Sequence, residues 1–312
     1  MKRYAPILFA GIALAALVLI GLIGGRFLIY LTSRVMILSI FAMGYNILFG
    51  RTGLLSFGHA AFYAGGAYGL GLFMLHVLPH PLLGIVVGVA CAALLAVVIG
   101  FFCVRHTEIY FAMLTLAFGM MVFSLIWNLR DITGGDDGLV GIIRTPIALG
   151  PLSIPIIKPQ SYYFLILALL LLSVFLIYRI RHSPFGLVLA GIRENEKRVA
   201  FAGVSLKNYR LGAFVLSGAF AGLAGALGTL LESSTSPFSA HWSHSAEPIL
   251  VTLIGGLQTF AGPMVGSAVF IVLREVIERF THNWMLWFSI ILLVIIMGFR
   301  GGIVGILSGR RK

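Results

Sequence analysis

Ten apolar stretches run through the chain, at roughly 6–24, 30–49, 54–75, 82–104, 108–128, 161–178, 211–231, 246–260, 263–280 and 284–303, separated by short polar or Gly/Pro-rich breaks. A bilayer core of ~30 Å takes about 20 apolar residues of helix. The pattern therefore predicts an all-α fold, a polytopic transmembrane helical bundle of about ten segments, with the eighth short enough to be re-entrant. Strand-sized alternation is absent, which excludes a membrane barrel. No composition shift divides the chain, so residues 1–312 read as a single transmembrane domain. Two interruptions stand out: a loop at 130–160 and a polar stretch at 180–210.

The polar stretch, Ser183 to Arg210, predicts a short soluble helix between two spans. Pro184 suits a helix start, where its missing N–H has no partner to lose. Gly203 can supply a left-handed stop. Glu194 precedes Lys197 and Arg198 by three and four residues, the favourable order for helical ion pairs. A solvated loop helix would use these charges alone. Ile192, Val199 and Phe201 mixed among them favour a docking element for a separate soluble subunit.

Composition agrees with the membrane reading: 60% of residues are hydrophobic, 10% are charged and mean hydropathy is +1.05. Met1-Lys2-Arg3 followed by an apolar run to Gly24 resembles a signal peptide, but the run exceeds an h-region of about 7–15 residues and reads as the first span. Cys91 and Cys103 lie twelve positions apart in one expected helix, about 18 Å along its axis, too far for a disulfide.

The net charge of +12 reads as topology rather than nucleic-acid binding. With both termini cytoplasmic, 15 of the 22 Lys and Arg fall inside, against only Glu108, Glu194 and Glu196. The opposite side is neutral, as the positive-inside rule expects. That orientation makes 130–160 an outer loop, carrying Thr133-Gly134-Gly135-Asp136-Asp137-Gly138-Leu139 and then Pro146, Pro151, Pro155 and Pro159, a turn-rich composition.

Candidate chemistry is sparse. There is no phosphate-binding Gly-x-x-x-x-Gly-Lys-(Ser/Thr), no His-Glu-x-x-His and no cysteine cluster. His241, His244 and Glu247 have near-helical spacing, but beside Pro237 they read as a solvated loop more readily than as a metal site. Ionisable groups at membrane depth point to function by default, and here they are few: His59, Glu247, and Arg274, Glu275, Glu278 and Arg279. The last four pair by i,i+4 spacing and read as structural. No buried acidic relay of the kind a proton- or sodium-coupled carrier needs is visible.

Small residues crowd Gly44–Gly71 and Gly255–Gly266. Close helix packing explains them. They also suit unwound backbone lining a route, with Gly53, Gly255 and Gly256 at the breaks and Ser56, His59, Thr115 and Thr259 offering hydrogen bonds to a zwitterionic solute. Gly-Leu-x-(Ser/Thr)-Phe occurs twice, at Gly53–Phe57 and Gly256–Phe260. Two five-residue matches do not by themselves establish a repeat.

Three stretches together resemble the permease subunits of branched-chain amino acid ABC transporters, the LivM-like member of the pair. The first runs from Gly44-Tyr45-Asn46 through Gly53-Leu54-Leu55-Ser56-Phe57-Gly58-His59-Ala60-Ala61-Phe62 to Tyr68. The second is Thr133-Gly134-Gly135-x-x-Gly138-Leu139. The third joins Ile192-Arg193-Glu194-Asn195-Glu196 to Ala202-Gly203 and Ala221–Leu227. Gly255-Gly256, Gly262-Pro263 and Gly266 extend the similarity. Arg51, Leu55 and Gln258 depart from the family pattern and leave substrate identity open.

The resemblance implies a non-enzymatic subunit in a bacterial cytoplasmic (inner) membrane. It implies four kinds of partner: a second permease subunit, two cytoplasmic ATPase subunits, a periplasmic or surface binding protein, and the lipid bilayer. It implies no cofactor in this chain, with ATP and Mg on the ATPase subunits. Ile192, Arg193, Glu194, Asn195, Glu196, Lys197 and Arg198 would form the coupling helix, with Ile192, Val199 and Phe201 supplying affinity. Arg130, Asp136, Asp137 and Arg144 would form the landing surface for the binding protein, unless they simply cap a charged loop. The alternative is a secondary carrier or channel working without an ATPase, with His59 as its polar switch. An integral-membrane enzyme ranks last for want of any nucleophile–base or metal constellation.

Overall fold

The computed structural model describes residues 5–149, 152–298 and 301–307. Its long elements are α1 (Ala5–Ile23), α2 (Arg26–Thr52), α3 (His59–His76), α4 (Pro81–Cys103) and α5 (Glu108–Asn128). A one-turn α6 (Arg130–Thr133) opens the long loop, followed by α7 (Pro159–His182), the short α8 (Pro184–Glu194) and α9 (Glu196–Phe201), and α10 (Leu206–Glu232). The chain closes with α11 (Trp242–Gly255), α12 (Gly262–Phe280), α13 (Trp284–Gly298) and α14 (Ile303–Leu307). Each of the ten apolar stretches overlaps a helix, but the third and eighth also take in irregular backbone at 54–58 and 256–260. Among the described residues six are long and apolar enough to cross a membrane: α2, α4, α5, α7, α10 and the one beginning at Trp284. At 14 residues α11 is about 21 Å long, too short for a full span.

The core forms around α2, whose residues from Met36 to Leu48 are almost all buried, and which packs against α7, α10, α11 and α12. A second layer joins α3, α4 and α10 through small residues. Gly66 of α3 lies directly on the Gly222 backbone of α10, with Gly88 and Ala92 of α4 closing the contact. Any side chain at Gly66 would enter main-chain atoms. Lipid tails are as apolar as leucine, so close van der Waals approach of this kind drives helix association in bilayers. Apolar side chains also cover outward faces, as Ile109, Tyr110 and Met113 do on α5.

The two ends of the bundle differ. At one end α7 and α10 are joined by α8 and α9. At the other lie the loop after α5 and the start of α11. There β1 (Leu139–Val140) pairs antiparallel with β4 (Ser234–Thr235), and β2 (Ile147–Leu149) with β3 (Leu152–Ile154). Gly134, Gly135 and Gly138 all adopt positive φ in the tight turn before β1. Arg274–Glu278 (2.8 Å) and Arg279–Glu275 (3.2 Å) form the two i,i+4 pairs along α12 that the spacing predicts. Cys91 and Cys103 both lie on α4 as free thiols.

Candidate functional site

The polar stretch folds as two helices rather than one. Ser183 caps α8, its hydroxyl accepting from Gly186 N at 3.3 Å, and Pro184 takes the first helical position. The backbone becomes extended at Asn195 (φ −159°, ψ 98°), and the Asn195 side chain accepts from Arg198 N at 3.0 Å to cap α9. Asparagine competes with the helix for its own backbone bonds, and here capping wins over continuation. Gly203 supplies the left-handed residue after α9 (φ +80°).

The break at Asn195 changes the roles expected of this stretch. Glu194 makes no ion pair with Lys197 or Arg198, because the turn that would align them is absent; all three are exposed. Glu196 instead meets Arg210 of α10 at 2.5 Å. Ile192 is not a partner surface. Only 3% exposed, it is packed with Leu189 into the core of this chain. Val199 is partly buried, and Phe201 is the large apolar side chain left outside, at 92% exposure.

Arg193 turns inward to the C-terminus of α2. Its guanidinium donates to the Gly50 carbonyl, and its stem passes beside Gly53. Unpaired carbonyls at a helix C-terminus attract cations, which explains why an arginine on α8 closes on this point. Burial pushes the Arg193 guanidinium down from its ordinary value, yet an arginine remains charged in a protein. Gly50 is also wedged against Asn46 and the Leu257 carbonyl, so the break after α11 meets the same place.

Gly53 is the C-cap of α2 in the left-handed region (φ +79°), its N–H reaching Phe49 O. From it residues 54–58 run as irregular backbone back into the bundle, ending at His59. Such backbone is tolerated at membrane depth only where its polar groups find partners. Tyr45 Oη accepts from Ser56 N and donates to Ser56 O, at 3.2 and 3.1 Å. Phe57 N donates to Thr115 Oγ1 (3.2 Å), and Ala60 N to Ser245 Oγ (2.8 Å). His59, fully buried, has Ser56 Oγ 2.9 Å from Nδ1 and Ser217 Oγ 2.7 Å from Nε2. A neutral imidazole donates from one nitrogen and accepts at the other. Both ring nitrogens are therefore occupied within this chain, and Tyr45, Phe62 and Phe214 pack edge-on around the ring.

The route candidates thus separate into two groups. Ser56, His59 and Thr115 form one buried cluster. Gly53 lies beside Arg193, and Gly255, Gly256 and Thr259 form the second break, where Thr259 Oγ1 donates to Gly256 O at 2.9 Å. Both Gly-Leu-x-(Ser/Thr)-Phe copies sit directly after a helix whose C-cap glycine has positive φ, +79° at Gly53 and +113° at Gly256. Sequence reading missed Ser217 and Ser245, hydroxyls whose partners lie 158 and 185 positions away. Tyr45 stood inside the first motif, but nothing in the sequence signalled that its hydroxyl reaches Ser56.

At the loop end Arg130, Asp136 and Asp137 are exposed. Arg144 is held from below: it donates to Leu231 O at 3.2 Å and stacks over Tyr162 at 4.7 Å. His244 and Glu247 approach to 3.3 Å, whereas His241 packs on Phe123.

Residues 27–299 match the family described as branched-chain amino acid transport system, permease component. The chain is similar to the high-affinity branched-chain amino acid transport system permease protein LivM of Salmonella typhimurium, 29% identical over 82% of this chain and 65% of the relative. Its similarity to LivM of Escherichia coli is 29% over 80% of this chain and 64% of the relative. A probable LivM of Methanocaldococcus jannaschii is 26% identical over 69% of this chain and 59% of the relative. The chain therefore spans just under two thirds of the length of these relatives. No solved structure matches significantly.

Proposed function

The chain belongs to the branched-chain amino acid transport system permease family, and from that membership we propose that it is the membrane-spanning permease subunit of an ATP-driven, binding-protein-dependent importer of branched-chain or related amino acids. It resides in the cytoplasmic membrane with α8 and α9 inside, where Lys197 and Arg198 add to the basic side. A second permease subunit completes the route, ATP and magnesium belong to two ATPase subunits, and Asp136 and Asp137 face the binding protein outside.

The observation that carries this reading is the clamp between Arg193 and the end of α2. A force applied to α8–α9 reaches α2, and through Gly53 the irregular backbone that ends at His59. Phe201 gives an ATPase subunit an apolar point to grip, ringed by Lys197 and Arg198. Packed interfaces of this kind switch between discrete arrangements rather than deform gradually. His59, bonded on both sides, suits a hinge support better than a titrating switch.

Reconstitution of the chain with its partner subunits in proteoliposomes tests the reading. Leucine uptake is expected to require ATP and to survive a protonophore. Uptake by this chain alone, without an ATPase, contradicts it and favours a secondary carrier or channel.

A further inference from the structure

At the loop end, α2, α3, α10, α11 and α12, with residues 234–239, line a cavity of about 340 Å³ that combines charge with an apolar wall. That volume lies within the range of small-molecule sites, about 300–1,000 Å³. Its apolar side is formed by Ile37, Phe41, Phe270 and Ile271. Its polar side includes Arg34, Glu247, Glu275 and Arg274. Arg274 is held by Glu278 and Glu275 by Arg279, so these charges are already answered within α12.

Two groups are not answered. Arg34 stands eight residues into α2, about 12 Å from its first turn, and makes no ion pair among the described residues; its nearest aromatic partner is Tyr30, at 5.9 Å. An unpaired cation this far along an apolar helix is costly. His244 has Nδ1 3.3 Å from Glu247, while its Nε2 is buried with no hydrogen-bond partner. The contact at Nδ1 holds the Glu247 carboxylate in place at the cavity wall. The cavity therefore offers one forked cationic donor, one carboxylate positioned by His244, and an apolar surface.

We propose that this cavity binds the zwitterion of an apolar amino acid. Arg34 takes the carboxylate, Glu247 takes the ammonium, and Ile37, Phe41 and Phe270 enclose the side chain. A guanidinium fork matches a carboxylate in a way no single point charge does. The assignment rests on the reading of the chain as an amino acid permease, and it adds a binding station within this subunit.

The test is equilibrium binding of radiolabelled L-leucine to the full chain in lipid nanodiscs, with leucinol (no carboxylate) and 4-methylpentanoate (no ammonium) as competitors. Saturable leucine binding is expected, with neither analogue competing well. Arg34→Gln should weaken leucine about tenfold or more and abolish discrimination against leucinol, while Arg34→Lys retains partial binding. Glu247→Gln should abolish discrimination against 4-methylpentanoate. Should Arg34→Gln fail to assemble, as judged by its elution profile, Arg34→Lys and Glu247→Gln decide the matter. Unchanged leucine binding in the variants, or none by the wild-type chain, overturns the site. ATP-driven uptake is read separately: uptake without cavity binding leaves the permease reading standing, and cavity binding without ATP-driven uptake leaves the site standing and removes that reading.

Discussion

Arg193 of α8 donates to the main-chain carbonyl of Gly50, 143 positions earlier, and so ties the elbow between α7 and α10 to the last turn of α2. The bond joins a helix of the polar stretch to the helix at the centre of the core. It also lies within one residue of Gly50's approach to Leu257 and three residues from the Gly53 cap. The end of α2 that Arg193 holds thus also meets the break after α11, through Gly50 and Leu257.

Arg193→Ala should cost about 1.5–3 kcal/mol, the range for a hydrogen bond to a charged group. Thermal unfolding of the purified chain in detergent measures this. Arg193→Lys should recover only part, because an ammonium lacks the planar fork and the reach. Full recovery would mean that charge alone secures the contact.

Ile192 and Phe201 should behave as opposites. Ile192→Ala removes a buried side chain and is expected to destabilise the lone chain by about 2–5 kcal/mol. Phe201→Ala removes a side chain that is 92% exposed and should leave the unfolding temperature unchanged, while weakening association with the proposed ATPase subunits. Co-purification of those subunits with each variant separates the two effects. Equal loss of stability in both would contradict the burial difference.

His59→Ala should be among the most damaging single changes. It strands the Ser56 and Ser217 hydroxyls and opens a cavity among Tyr45, Phe62 and Phe214, for a loss of about 3–5 kcal/mol. His59→Gln keeps a donor and an acceptor and should lose less. Unfolding curves of the two variants give the ranking, and a stable His59→Ala chain would argue for a role in the route instead of the scaffold.

Gly66→Leu should prevent assembly, since its side chain would enter the Gly222 backbone. Gly25→Ala, at a position with nothing within 4 Å, should be tolerated. Monodisperse yield in detergent reports both.

Much of the fold was legible because lipid imposes a length rule that six helices among the described residues obey, and because Pro184 and Gly203 punctuate the polar stretch in the ordinary way. The i,i+4 pairs of α12 were legible for the same local reason. What escaped was set by distant partners. The expectation of one helix from Ser183 to Gly203 failed at Asn195, where a side-chain cap outcompeted helix propensity. Ile192 looked like a surface anchor because a short polar stretch hides which face a neighbouring helix covers. His244 was legible only with His241 and Glu247, and its place beside Arg34 was not, because the two share a cavity only after the helices around it assemble. The paired pentapeptides became meaningful once both were seen to follow a left-handed cap.

The most direct test of the account is the ratio of ATP hydrolysed to leucine imported by the reconstituted importer, wild type against Arg193→Glu. Reversal of charge at Gly50 O should leave the subunits assembled and hydrolysing ATP while uptake falls steeply, so the ratio rises. An unchanged ratio, with normal uptake, would contradict transmission through this contact.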